Sequence, residues 1–152
     1  MSFYSGSLYI IVNTQRQWFL FVAGRPHETN NTITTSPIGT LYYPGNDLKS
    51  RQELNFRPFS RLPAPVLFVN VDNLISTFGT VISADNYINR IVIAGDQGPR
   101  PSSVDRWWFD LLHRLHSHGV INYDPVALSQ NTRTQAETAL ASYYRTGVYT
   151  VR

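Results

Sequence analysis

The sequence predicts an α+β fold in one domain, residues 1–152: a β-rich N-terminal two-thirds followed by two C-terminal helices at about 103–118 and 134–146. Two observations carry this. The long runs of Ile, Val, Phe, Trp and Tyr fall early, at 7–13, 17–23 and 66–71, where β-branched and aromatic residues favour strands. The clearest 3.6-residue periodicity falls late, after a Pro/Gly-rich stretch at 95–101. Strands first and helices last argue for α+β rather than a βαβ alternation. A chain of 152 residues, 42% of them hydrophobic, is long enough to bury one continuous core.

Taken in order, SLYIIVN (7–13) and QWFLFVA (17–23) read as two strands around a polar turn, and their near-continuous apolar character places them inside a sheet. TITTS (32–36) alternates weakly, as a third, half-exposed strand would. Pro37, Gly39, Pro44 and Gly45 then break the chain. Residues 46–65 are irregular; a short helix over 47–54 fits, and Pro58, Pro63 and Pro65 forbid a long one. VLFVNV (66–71) reads as a buried strand, 72–77 as the start of a short helix, and YINRIVIA (87–94) as another strand closed by Gly95.

Val104, Trp107, Trp108, Leu111, Leu112 and Leu115 then share one helical face, with Ser102 and Asp105 at capping-box spacing and Gly119 as the stop. Asp124-Pro125 suits the opening of a short helical turn. A further helix is expected from Thr134, with Glu137 completing its cap and Gly147 ending it. The tail 148–151 alternates like an edge strand or an arm that reaches a neighbouring subunit.

Composition narrows function without naming a reaction. Basic charge rests on twelve arginines and one lysine, Lys49, for a net +3. Arginine's planar fork suits phosphate, carboxylate and ring partners, and scarce lysine also suits a protein that enters a host cytosol. Without cysteine there are no disulfides, thiol nucleophiles or thiolate-held metals. The opening MSFYSGSLYIIVN has no charged n-region, and its apolar run is too short for an export signal or a membrane span, so a soluble protein is expected.

The best candidate site is a basic, aromatic segment: Lys49, Arg51, Phe56, Arg57, Phe59 and Arg61. Arginine forks can grip phosphates while rings stack on unpaired bases; alternatively the rings plug the core and the arginines pair with Asp47 or Glu53. His113, His116 and His118 lack the spacing of a metal motif, and a third ligand such as His27 or Asp124 would have to come from afar. No nucleophile elbow or phosphate-cradling glycine run occurs. Asp72 with Asp85 is the nearest approach to a carboxylate pair. The loop Asp96-Gln97-Gly98-Pro99-Arg100, which leads into the following helix N-terminus, could present free N–H groups to an anion, with Arg100 assisting.

No catalytic residue, metal or cofactor is therefore expected. The leading expectation is a non-enzymatic structural or assembly protein, such as a virion or coat-like subunit, that forms homo-oligomers and meets nucleic acid or neighbouring subunits through arginine. Its aromatic content exceeds what one small core must hold. Two alternatives stand beside it. One is a host-directed enzyme or toxin domain drawing on residues such as Tyr87, Tyr123, Glu137 and Arg145. The other is a carbohydrate-binding module presenting Trp18, Tyr42 or Tyr43 beside Asn30, Asn31 and Asn46.

Overall fold

The computed structural model describes residues 3–29, 33–34, 38–55 and 63–152. The α+β fold is built on a six-stranded sheet in the order β6-β5-β3-β2-β7-β8, comprising β2 (Ser7–Asn13), β3 (Trp18–Ala23), β5 (Gly39–Pro44), β6 (Ser50–Asn55), β7 (Pro65–Asn73) and β8 (Thr150–Val151). Pairing is antiparallel except between β7 and β8. Two short strands, β1 (Phe3–Tyr4) and β4 (Ile33–Thr34), pair separately, so the third strand expected near 32–36 does not join the main sheet.

The two apolar runs at 7–13 and 17–23 form the centre of the sheet because both of its faces are buried. Leu8, Ile10, Val12, Leu20, Val22 and Tyr42 face one core, which the helices complete. Tyr9, Ile11, Phe19, Phe21, Leu41 and Phe68 face a second, which Phe3 joins from β1. There Phe3 meets Phe68 edge-on, with centroids 4.6 Å apart, and Tyr149 lies 5.2 Å from Phe68. The aromatic surplus expected to seek partners is thus absorbed largely by a second internal core, where edge-to-face rings pack favourably.

The chain departs from the expected pattern at 81–94. These residues form α2 (Val81–Ala94), not a strand over 87–94. The β-branched content of YINRIVIA resembles a strand, but Val81, Ala84, Ile88, Ile91 and Val92 are buried at helical spacing. Thr80 caps α2 by accepting the Ser83 N–H at 3.1 Å. A single turn, α1 (Ile75–Phe78), precedes it. Residues 47–54 likewise form no helix: a tight turn with Leu48 at φ 62° leads directly into β6.

α3 (Val104–Ser117) buries Trp107, Trp108, Leu111, Leu112 and Leu115, but Val104, the first residue of the expected stripe, is exposed, and Ser103 rather than Ser102 is the cap. Arg114 on α3 reaches back to α2, donating from Nε to the Ile91 carbonyl at 3.1 Å and from Nη2 to that of Val92 at 3.4 Å. Burial holds the Arg114 pKa below its ordinary value. α4 (Pro125–Thr146) runs unbroken where a separate turn and a helix from Thr134 were expected. Asp124 caps it, and Thr134 Oγ1 donates to the Gln130 carbonyl one turn back instead of starting a new helix. β8 then docks on β7, as an edge strand of the same chain.

Candidate functional site

A groove of about 1020 Å³ opens between the start of β3, the end of β5, and the first turns of α3 and α4. At one wall Asn13 Oδ1 accepts the backbone N–H groups of Gln15 and Gln17 at 2.9 and 3.0 Å, fixing the β2–β3 turn and leaving Arg16 at φ 60°. Arg16 spans to α4, donating from Nε and Nη2 to the two carboxylate oxygens of Glu137 at 2.8 and 3.2 Å. This bidentate bond and the accompanying charge raise the Arg16 pKa and lower that of Glu137.

Rings line the floor and one side. Trp18 meets Trp108 edge-on at 5.8 Å, and Phe19 meets Tyr43 at 5.4 Å. Phe109 carries the Arg106 guanidinium 4.7 Å from its centroid on one side and His113 at 4.1 Å. Val104, Phe109 and Val126 stand 50, 42 and 45% exposed at the rim. The Trp108 indole is buried, and its Nε1 has no hydrogen-bond partner among the described residues.

The charges cancel. Arg16 faces Glu137, Arg106 pairs with Asp110 at 3.1 Å, and Arg133 lies 4.0 Å from Asp105. The groove is therefore amphipathic and close to neutral. It offers ring faces, apolar contacts and paired donors and acceptors, with no surplus of positive charge.

The residues singled out by sequence divide. Lys49 and Arg51 flank the turn that borders the groove, and Arg51 is held by Asp47 at 3.0 Å. The Lys49 N–H and that guanidinium hold the Asp47 carboxyl below its ordinary range. Phe56, Arg57, Phe59 and Arg61 lie outside the described residues, as do Asn30 and Asn31. Trp18, Tyr43 and Asn46 do meet in the groove, whereas Tyr42 is fully buried and cannot stack on a ligand. Glu137 lines the groove but Tyr87, Tyr123 and Arg145 do not.

Among the described residues no three potential ligands gather to hold a metal, and His113 instead bonds the Phe109 carbonyl at 2.9 Å through Nδ1. Asp72 accepts the Asn73 N–H, whereas Asp85 accepts from Tyr42 and Thr40. In the 96–100 loop, Asp96 ties β6 in place by accepting from Ser50 N and Oγ, both at 3.0 Å.

Sequence reading missed a second cluster. Asp85, on α2, accepts hydrogen bonds from Tyr42 Oη and, at 3.0 Å, from Thr40 Oγ1. Gln52 Nε2 in turn donates to Tyr42 Oη at 3.1 Å. Burial, only partly offset by the two hydroxyls, raises the Asp85 pKa, and burial with the neighbouring carboxylate raises that of Tyr42.

A raised carboxyl pKa means that the folded protein holds the proton more tightly than the unfolded chain. The resulting stabilisation is complete below the ordinary aspartate pKa of about 3.9 and is lost as pH rises through the folded-state value. Asp85→Asn is therefore expected to melt at a higher temperature than the wild type at pH 7, with the difference shrinking at acid pH. Thermal unfolding followed by circular dichroism at several pH values checks this.

No protein-family model, curated protein or solved structure matches the chain. No helix among the described residues is long and apolar enough to cross a membrane.

Proposed function

We propose that the protein is a non-enzymatic assembly subunit whose groove receives a polypeptide segment from a neighbouring subunit. The observation that supports this reading is the neutral, amphipathic lining. Nucleic acid gains affinity by displacing counterions with cations that are free to meet phosphate. Here Arg16, Arg106 and Arg133 each already face a carboxylate. A peptide brings amides, apolar side chains and charges of both signs. Val104, Phe109 and Val126 would contact its apolar side chains.

A saccharide is the second reading, favoured by the presence of Trp18, Tyr43 and Asn46 in the same groove. Aromatic faces take sugar rings, and planar amides take hydroxyls.

Sedimentation velocity tests the leading reading with the wild type and a Phe109→Asp/Val126→Asp variant. Both positions are exposed, so the fold is expected to persist by circular dichroism. The wild type should sediment above the 17.3 kDa monomer in a concentration-dependent way, and the variant as a monomer. A wild type that remains monomeric at high concentration overturns the reading. Co-sedimenting nucleic acid that is lost on neutralising Lys49 and Arg51 would transfer the role to the basic segment.

A further inference from the structure

Away from the groove, a cavity of about 460 Å³ lies between the N-terminal half of α2 and the β5–β6 edge of the sheet. The Asp85 carboxylate lines it, together with Gln52 and Asn86, and Ile82, Leu54 and Pro26 supply apolar wall. A hydrogen-bond network stands behind the carboxylate. Tyr42, fully buried, donates to one Asp85 oxygen and Thr40, 5% exposed, to the other.

Each carboxylate oxygen accepts about two hydrogen bonds, so both retain acceptor capacity. No cation among the described residues pairs with Asp85. A half-buried carboxylate without a counter-charge is costly to keep, and such groups cluster at sites that bind or react. Gln52 spends its Nε2 on Tyr42 Oη, which leaves its carbonyl oxygen as a second acceptor, and the side chain of Asn86, which also lines the cavity, carries a third.

We propose that this cavity binds a primary alkylammonium group, its three N–H donors meeting Asp85, Gln52 and Asn86 while its alkyl stem lies on Ile82, Leu54 and Pro26. The chemistry follows from the donor set. One carboxylate with two neutral amide oxygens matches an ammonium's single charge and three donors. The same set is too poor in charge for a divalent ion, which calls for more oxygen ligands. This site stands independently of any partner in the groove.

The proposal is tested by NMR titration of the full chain with n-butylammonium chloride, with n-butanol as the neutral analogue of the same stem. Saturable shifts centred on Thr40, Gln52 and Asp85 are expected for the ammonium, with at least a tenfold weaker response to the alcohol. Asp85→Asn, which keeps the shape of the side chain, should weaken ammonium binding at least tenfold. Ile82→Lys, at a residue 43% exposed, should block the site with its own ammonium without disturbing the core.

Comparison with Nα-acetyl-lysine N-methylamide separates the two sources of such a group. Tighter binding of the lysine derivative identifies a partner's side chain, and tighter binding of butylammonium a free amine; either order upholds the site. Equal response to ammonium and alcohol, or unchanged binding in folded Asp85→Asn, overturns it.

Discussion

Replacing Leu111 by alanine is expected to lower the free energy of unfolding by about 2–5 kcal/mol. Leu111 is fully buried at the centre of the α3 stripe, with Trp107 and Trp108 preceding it and Leu112 and Leu115 following. Truncation removes apolar area and leaves a cavity in the core that the helices share with the sheet. Both indoles are held by ring contacts, Trp108 on Trp107 at 5.1 Å and on Trp18 at 5.8 Å, so they are poorly placed to collapse into the space. Denaturant unfolding measures the loss directly. A change below about 0.5 kcal/mol, the range of ordinary surface substitutions, would remove α3 from the core.

Gly39→Ala should be at least as damaging, at about 3 kcal/mol or more, because the obstruction is backbone. Gly39 opens β5, opposite Ala23 on one side and Asn55 on the other. A methyl group there would run into the carbonyl oxygen of Val22, and it would lie 2.8 Å from Phe21 Cε1 and 3.0 Å from the Ala23 Cα. The side chain of Phe21 belongs to the second core and the other two atoms belong to β3, so relief requires β3 and β5 to separate. Gly98→Ala is the matched control. It meets nothing within 4 Å and should change stability by less than about 0.5 kcal/mol. Equal melting temperatures for the two variants would contradict the described β3–β5 register.

The elements legible from sequence are those whose burial is extreme. Strands buried on both faces spell continuous apolar runs, as at 7–13 and 17–23, and α3 repeats large residues every three or four positions. α2 was misread because its visible half begins at Tyr87 and is β-branched, while the small Ala84 that completes its inner face carries little signal. α4 was cut short for a related reason. Its buried positions before Leu140 include Thr132, Ala136 and Ala139, small residues that permit close helix packing but look like a polar segment.

The groove was largely illegible, since it draws on four separated stretches between Val12 and Glu137. Residue type pointed to Trp18, Tyr43 and Asn46, but pairing of the arginines depends on contacts such as Arg16 with Glu137, which no local spacing encodes. The Asp85 cluster joins α2 to β5 and β6, and its sequence signal is a lone aspartate just before the segment 87–94 that reads as a strand.

The single parallel pairing among the described residues, between β7 and β8, bears on the order in which this chain can finish folding. β7 is a nine-residue strand rich in Val, Leu and Phe, yet Leu67 and Phe68 find their outer partners only in Thr150 and Val151. Beyond them the backbone of Arg152 accepts from Asn70 N and donates to the Phe68 carbonyl, both at 2.8 Å. The residues that seal this border are synthesised roughly 80 positions after it, a closure of the non-local kind that is intrinsically slow. Until α4 has formed and returned the tail, the newly made chain carries an open, sticky seam along β7 that a second chain can zip onto. Residues 150–152 thus act as a latch on this border, and a chain in which they are not yet docked is expected to be the more prone to aggregate.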